Sequence, residues 1–575
     1  MSALSRLLAL LAALLLVACT SLAQRDEATP DAEAAEPESA PPAETLPEQE
    51  LTEPVLYEML LGEIALQRGD AALAAQTFAE LAQRTRDPRV ARRAVEIANI
   101  ARTPQFALQA ALVWHEADPA SVQALQTVAA LLVRERRVEE AEPYLAKLLA
   151  RDGDAAANGF MQLGRLLAGN PDKQTNLRMV RTLAERHPDL PQARLAVAQA
   201  ALAANDETTA LAETRRAAAM RPGWEPAAIY EAQILQRRSS AEAARSLNAF
   251  LEQHPQSREA RLAYARLLVA DRRYAEARVE FEKLLAAHPG DADVLYAVSL
   301  LAMQLKDYAT AEASLRKLLD AGYRDPDSLR FMLGQAAEEQ KKWDQAVRWY
   351  ESIERGDQAL AARLRVAGVL GKQGKLDEAR AYLRTLEADG AERVQVLIAE
   401  AQLLRDADRH REAYELLGKA LKAQPEQPEL LYDYALTAEK LERYDVLESS
   451  LRRLIKLKPD YAHAYNALGY SLADRNQRLP EARKLIERAL ELSPEDYYII
   501  DSMGWVLYRM GDLKGAEQYL RRAYDGRPDA EISAHLGEVL WAMGERVEAE
   551  RVWQEALKSH PENELLHKTM KRLRR

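Results

Sequence analysis

The sequence predicts an almost entirely α-helical protein built from repeated helix pairs. Of its 575 residues, 48% are hydrophobic, and alanine, leucine, glutamate and arginine dominate while β-branched and aromatic residues are scarce. That balance favours helix over strand. Prolines also recur at intervals of 33 to 35 residues. Because the chain is longer than one hydrophobic core usually holds, we expect an array of repeats.

The first 18 residues form a candidate lipoprotein signal peptide. Arg6 and the amino terminus are positive, and Leu7 to Ala18 are apolar; this run is shorter than the roughly 20 residues that a membrane-spanning helix needs. The only cysteine, Cys19, follows in the sequence LVAC, which is similar to a bacterial lipobox. That similarity implies cleavage before Cys19 and lipidation of its thiol and amine. An ordinary secretory peptide with an incidental cysteine is the alternative.

The composition of residues 19–54 predicts a lipidated, disordered, acidic linker. From Arg25 to Pro54 the chain has six prolines, ten acidic residues, one basic residue and no aromatic residue, so it cannot bury enough surface to fold. We expect a stalk; an acidic recognition tail is the alternative. Thr20 stands where the inner-membrane retention signal of lipoproteins would place Asp. The expected location is therefore the periplasmic face of the outer membrane in a Gram-negative bacterium.

From residue 55 onward the chain repeats with a period of about 34 residues. Small residues mark positions where two helices cross closely, and prolines mark the ends of helix pairs, which they cannot continue. The prolines are Pro188, Pro222, Pro255, Pro289, Pro425, Pro459, Pro494, Pro528 and Pro561. The alanines are Ala277, Ala311, Ala346, Ala379, Ala413, Ala482, Ala516 and Ala549, and the glycines are Gly334, Gly469, Gly504 and Gly537.

This pattern is similar to the tetratricopeptide repeat, and residues 497–529 carry its clearest copy, with Gly504, Ala516 and Pro528 where that family expects them. The resemblance implies a superhelical solenoid of about 15 helix pairs. Degenerate repeats would occupy residues 55–187, regular repeats 188–561 and a capping helix 562–575. The first helix of each pair would line a concave groove, which is the usual binding site.

Candidate partner-binding residues lie on the first helices of three consecutive repeats near the C-terminus. They recur at helical spacing on one side, apart from the side that packs internally. Tyr and Trp are favoured at interfaces because they bury much area with little loss of rotamer entropy. Packing of these aromatics between adjacent repeats is the alternative. The candidates are Asn466, Tyr470, Tyr498, Asp501, Trp505, Tyr508, Glu538 and Trp541.

The sequence lacks the patterns of catalytic or metal-binding residues, so we expect no enzyme, no cofactor and no metal site. The motifs H-E-x-x-H and G-x-S-x-G and the nucleotide-binding glycine loops do not occur, and a single cysteine excludes a thiolate metal site. From Leu56 onward the chain is nearly neutral, which argues against nucleic acid. We expect protein partners, and neither nucleic acid nor a small-molecule substrate.

The lipobox, the acidic linker and the repeats over residues 466–553 together resemble the LbcA family of proteobacterial repeat lipoproteins. This resemblance implies an outer-membrane scaffold or adaptor. It would bind a periplasmic carboxyl-terminal processing protease of the CtpA type, which is a serine protease, and bring it peptidoglycan hydrolases as substrates. A lipoprotein that assists assembly of a secretion, pilus or polysaccharide-export machine is the alternative.

Overall fold

A computed structural model describes residues 50–150 and 154–574. Cys19, the signal peptide 1–18 and linker residues 19–49 lie outside the described residues, so the predictions made for them stay predictions. Within the described residues there are 31 α-helices, one short 3₁₀ helix and no strand. The predicted fold class, an all-α array of repeated helix pairs, is confirmed. No helix in the described part of the chain combines the length and the apolar character needed to cross a bilayer.

The chain divides into two compact units, Met1–Ser314 and Leu315–Arg575. The first unit contains α1 Glu53–Gln67, α2 Ala71–Thr85, α3 Pro88–Ile100, α4 Pro104–Ala117, α5 Val122–Arg134, α6 Val138–Leu149, α7 Asp154–Leu166, α8 Lys173–Glu185, α9 Pro191–Ala203, α10 Glu207–Met220, α11 Glu225–Gln236, α12 Ser240–Gln253, α13 Arg258–Ala270, α14 Tyr274–Ala287 and α15 Ala292–Gln304. The unit boundary lies inside α16, Tyr308–Asp320.

The second unit continues the series of helix pairs and ends on a single helix. It contains α17 Pro326–Glu339, α18 Trp343–Glu351, α19 Ala359–Lys372, α20 Leu376–Thr385, α21 Gly390–Asp406, α22 His410–Ala423, α23 Pro428–Lys440, α24 Tyr444–Leu457, α25 Ala462–Asp474, α26 Leu479–Leu492, α27 Tyr497–Arg509, α28 Leu513–Gly526, α29 Ala530–Met543, α30 Arg546–Ser559 and α31 Glu564–Leu573. The predicted domain boundaries are not tested by these helix ends and stay predictions.

Helix starts in the first unit follow from side-chain capping. Asp70 accepts a hydrogen bond from the Leu73 amide at 3.1 Å, and Asp206 accepts one from the Thr209 amide at 3.0 Å. Each bond satisfies one of the backbone donors that a helix leaves open at its first turn. The apolar faces of these helices then meet in a core whose largest fully buried side chains include Phe78.

The small residues of the repeat lie where the two helices of a pair cross. In α27, a Cβ on Gly504 would come within 2.5 Å of Leu520 Cγ and 3.0 Å of the Ala516 carbonyl oxygen, both on α28. All eight alanines of the predicted series are fully buried. The prediction that short side chains permit close crossing is therefore confirmed at these positions.

The last helix covers the end of the second unit. Asn563 caps it by accepting a hydrogen bond from the Leu566 amide at 3.0 Å. Leu566 and Met570 are buried against the preceding pair, whereas the opposite side carries Lys568 and Lys571, which are exposed. A polar outer face is what an end repeat requires to stay soluble.

Candidate partner-binding surface

The eight candidate residues lie on first helices of the second unit. Asn466 and Tyr470 are on α25, and Glu538 and Trp541 are on α29; the other four are on α27. Side-chain caps fix where α27 and α29 begin: Asp496 accepts from the Tyr498 amide at 2.9 Å, and Asp529 accepts from the Ile532 amide at 3.0 Å. Each cap satisfies a backbone donor in the first turn of its helix, whereas α25 begins without a side-chain cap.

A buried pair of charged groups joins α27 to α29. The Nδ1 atom of His535 lies 2.9 Å from Asp501 Oδ2 and 3.1 Å from Oδ1. Each residue exposes 4% of its surface. Asp501 is one of the predicted candidates, but its carboxylate faces a neighbouring helix rather than solvent.

Trp505 also packs inside this cluster. Its ring stacks on His535 with centroids 4.2 Å apart and planes inclined by 22°, and only 5% of the residue is exposed. The expectation that Trp505 is exposed for partner binding is therefore wrong, because the next first helix covers its ring. The alternative, packing of aromatics between adjacent repeats, describes Trp505 correctly.

Further hydrogen bonds extend the cluster on both sides. The Tyr470 hydroxyl donates to Glu531 Oε1 at 3.3 Å, and the Tyr508 hydroxyl donates to Glu538 Oε1 at 3.2 Å. Glu538 is itself buried and accepts a second hydrogen bond, from Arg572 on α31. The surface role expected for Glu538 is thus corrected, since its carboxylate links three helices.

Burial and neighbouring charges shift the titration of this cluster. Burial disfavours the charged imidazolium of His535, but the adjacent Asp501 carboxylate outweighs it and holds the pKa of His535 above its ordinary value. Burial raises the pKa of Glu531, with Asp501 adding to that rise. Both directions favour the protonated forms, which is the arrangement expected where several acidic groups share a dry site.

The structure thus joins five of the eight candidates in one network and leaves three apart. Tyr498 is 42% exposed and lies against the Arg527 guanidinium, 5.0 Å from its ring centroid. Trp541 is half-buried, with Arg546 5.1 Å from its ring centroid. The Asn466 Oδ1 atom is buried without a hydrogen-bond partner among the described residues. Tyr498 and Trp541 thus keep surface for a partner, whereas the unpaired acceptor of Asn466 is shielded from solvent.

Two members of the cluster, Glu531 and His535, were missed in the sequence-based selection. His535 lies 34 residues after Asp501, so the repeat period places the two at nearly equivalent positions on successive first helices. A polar residue on a mostly apolar helix is a signal of a buried polar contact, and this signal could have identified His535 on α29. No group of three or more His, Cys, Asp or Glu side chains in the described part of the chain is arranged to hold a metal ion.

A second surface, on α1, was also missed. This helix has no basic residue, and its apolar side chains are not confined to one face. Tyr57 is 65% exposed, and Leu56, Leu60 and Ile64 are exposed beside it at helical spacing. An exposed apolar surface of this kind is a candidate interaction site.

Comparison with known families agrees with the observed helix pairs. Two sequence profiles, both described as tetratricopeptide repeat, match residues 235–301 and residues 296–361, 331–393, 398–446, 448–497 and 502–564. The "TPR repeat-containing protein PA4667" of Pseudomonas aeruginosa is 43% identical over 521 residues, which cover 89% of this chain and 86% of that protein. The chain belongs to the tetratricopeptide-repeat (TPR) family. TPR proteins are generally non-catalytic scaffolds that bind other proteins.

Other relatives of this TPR protein match over shorter stretches. "Protein IFIT1 homolog B" of Homo sapiens is 27% identical over 125 residues, which cover 20% of this chain and 26% of that protein. Among solved structures, TTC0263, described as a thermophilic TPR protein in Thermus thermophilus, is 25% identical. The match covers 31% of this chain and 97% of the TTC0263 chain, with a TM-score of 0.29.

Proposed function

We propose that this TPR protein is a lipid-anchored adaptor on the periplasmic face of the outer membrane. It brings a carboxyl-terminal processing protease of the CtpA type together with peptidoglycan hydrolases that the protease cleaves. The observation that carries the protein-binding part is the pair of surfaces on α1 and on the first helices α25, α27 and α29. The anchor and the identity of the partners rest on the resemblance of the leader and the C-terminal repeats to lipoproteins of the LbcA family.

An adaptor needs two surfaces, because it must hold an enzyme and a substrate at the same time. The apolar side chains on α1 suit an interface driven by hydrophobic burial. The first-helix surface combines aromatic rings with adjacent guanidinium groups, as at Tyr498 and Trp541, and such residues carry much of the energy at protein interfaces. The two surfaces lie in different units of the chain.

The anchor would act by concentrating the partners. A lipidated Cys19 confines the array to one surface, and two proteins bound to that array meet at a local concentration set by the tether rather than by the bulk. Diacyl and amide-linked chains together give stable anchoring, whereas one chain is marginal. Reduced cleavage of the hydrolases is therefore expected when the anchor is lost, even if both binding surfaces are intact.

Affinity purification of the tagged, full-length protein after crosslinking in cells tests the proposal. Mass spectrometry should identify a carboxyl-terminal processing protease and cell-wall hydrolases. Recovery of secretin, pilus or polymer-export subunits without any protease would overturn the adaptor assignment and support the role in machine assembly. Cys19→Ser tests the anchor separately, since a variant that still fractionates with outer membranes contradicts lipidation at Cys19.

A paired set of variants localises the binding surface. Tyr498→Ala with Trp541→Ala removes two first-helix aromatics, and Tyr524→Ala with Trp349→Ala removes one Tyr and one Trp from the second helices α28 and α18. We expect the first pair to lower partner recovery at least tenfold, which corresponds to about 1.4 kcal/mol, and the second pair to leave it unchanged. Equal recovery from both pairs would remove the first-helix surface from the proposal.

A further inference from the structure

A basic cleft lies between two successive helix pairs of the second unit, on the side where first helices turn into second helices. Its volume is about 740 Å³. Five of its nine lining side chains are lysine or arginine, one is acidic and one is aromatic. The basic residues are Lys341, Lys342, Arg348, Lys372 and Lys375, the acid is Asp344 and the aromatic residue is Trp343.

Three of the cleft cations are not neutralised within the protein. Lys341, Arg348 and Lys375 are exposed and form no side-chain hydrogen bond or ion pair with any described residue. Lys372, by contrast, donates to the buried Glu338 carboxylate at 2.9 Å. The cleft therefore keeps three cations without an ion pair, beside one carboxylate, that of Asp344.

The backbone adds to the positive potential. The second helices α18 and α20 both begin at the cleft, and the residues that precede them, Lys342 and Lys375, make no side-chain capping hydrogen bond. Most other second helices of this unit also begin without a side-chain cap, so this feature is not particular to the cleft. The positive ends of both helix dipoles point at the cleft, where the first-turn acids Asp344, Asp377 and Glu378 partly offset them.

We propose that this cleft binds an acidic peptide segment. Side-chain carboxylates of the peptide would pair with Lys341, Arg348 and Lys375 and with the uncapped amides of α18 and α20, while Trp343 packs against the peptide's apolar atoms. This site is separate from the first-helix surface, so the inference does not rest on the proposed adaptor function.

An acidic peptide fits these observations better than nucleic acid or an anionic membrane. An open cleft of about 740 Å³ has room for a short segment, whereas duplex nucleic acid and bilayers require a broad basic face.

Fluorescence titration of the full-length protein tests the proposal. The two peptide probes are octaglutamate and a synthetic peptide of residues 25–49 of this chain, which contains eight acidic residues. We expect both to bind, with an affinity that falls as salt is raised, and to change an emission component that Trp343→Phe removes. The residue 25–49 peptide with every carboxylate replaced by an amide should not bind.

A charge-matched pair of variants separates the cleft from general electrostatics. Lys341→Ala, Arg348→Ala and Lys375→Ala together should weaken peptide binding about tenfold or more, since each exposed charge pair contributes modestly. Lys419→Ala, Lys422→Ala and Arg453→Ala remove the same charge from exposed positions outside the cleft and should leave binding within about twofold.

Three outcomes would overturn the inference. They are absence of binding by both acidic peptides, equal binding by the amide peptide, and equal weakening by the two triple variants. Binding of anionic lipid vesicles without binding of either peptide would also overturn it in favour of a membrane contact. Unchanged circular dichroism and thermal unfolding of the cleft variant are expected because its three side chains make no internal hydrogen bond or ion pair, so a loss of binding cannot be assigned to unfolding.

Discussion

His535 on α29 and Asp501 on α27 form a buried pair that joins successive first helices, with His535 Nδ1 2.9 Å from Asp501 Oδ2. The two residues are 34 positions apart, which is the repeat period. Each is almost completely removed from water, so each depends on the other for compensation of its charge or dipole. The pair makes the C-terminal repeats depend on one another.

Removal of one partner should therefore be costly. We expect Asp501→Ala to lower the free energy of unfolding by about 3 kcal/mol, because it leaves the His535 ring buried without its carboxylate. Asp474→Ala removes an exposed carboxylate from α25. We expect this control to change the free energy of unfolding by less than about 0.5 kcal/mol. Urea denaturation measures both, and equal small effects would show that the buried pair contributes little.

Stability should also depend on pH through His535. Its folded-state pKa lies above its ordinary value, so the stabilising contribution is complete below about pH 6.5 and is lost as the pH rises through the folded pKa. His535→Gln should remove this fall in unfolding free energy above pH 6.5. The facing groups Asp501, Glu531, Glu538 and Tyr470 remain in the variant. Because His535 lowers the pKa of Glu531, the profile of the variant also includes a change in the titration of Glu531.

The raised pKa of Glu531 acts with the same sign in a lower window. Burial keeps its carboxyl protonated above the usual range, so stability falls as the pH rises from about 4.5 through the folded pKa. The fall in unfolding free energy that is due to Glu531 should persist in the His535→Gln variant. Identical profiles for the variant and the unmodified protein above pH 6.5 would contradict the assignment to His535.

Close helix crossing predicts opposite effects for two glycine substitutions. Gly504→Ala would place a Cβ 3.0 Å from the Ala516 carbonyl oxygen and closer still to Leu520, so we expect a loss of about 1–3 kcal/mol. Gly368→Ala on α19 meets no atom within 4 Å and should stabilise the protein by about 0.5–1 kcal/mol, because alanine favours helix. Thermal unfolding of both variants checks the contrast.

Burial distinguishes two of the aromatic residues of α27, Trp505 and Tyr498. Trp505→Ala should destabilise the protein by roughly 3–5 kcal/mol through loss of a buried ring and of its stacking on His535. Tyr498→Ala removes a ring that is only partly buried and should cost less than about 1 kcal/mol. Denaturation that gave the same loss for both would contradict the burial difference.

The close-crossing positions could be predicted from the sequence because each repeat must solve the same local packing problem. Ala516 and Gly504 stand opposite each other within one helix pair, and their spacing along the chain is set by two helices and one turn. The same holds for the buried alanines of the other pairs. Contacts of this kind join residues that are near in sequence, so periodicity alone locates them.

The exposure of the first-helix side could not be predicted in the same way. Helical spacing puts Tyr498, Asp501, Trp505 and Tyr508 on one side of α27, but it does not state which of them the next first helix covers. Trp505 is buried because His535 stacks on it, whereas Tyr498 lies about two turns nearer the start of the helix and stays partly exposed.

The sequence by itself determined the helical repeat, its period and the small residues at each crossing, because these follow from backbone geometry and from neighbours within one pair. The tertiary structure alone decided that Asp501, Trp505 and Glu538 are buried, that His535 is their partner, and that Lys341, Arg348 and Lys375 meet at one cleft. Those outcomes depend on contacts between different pairs, where the relative placement of helices selects which side chains lose water and which charges remain uncompensated.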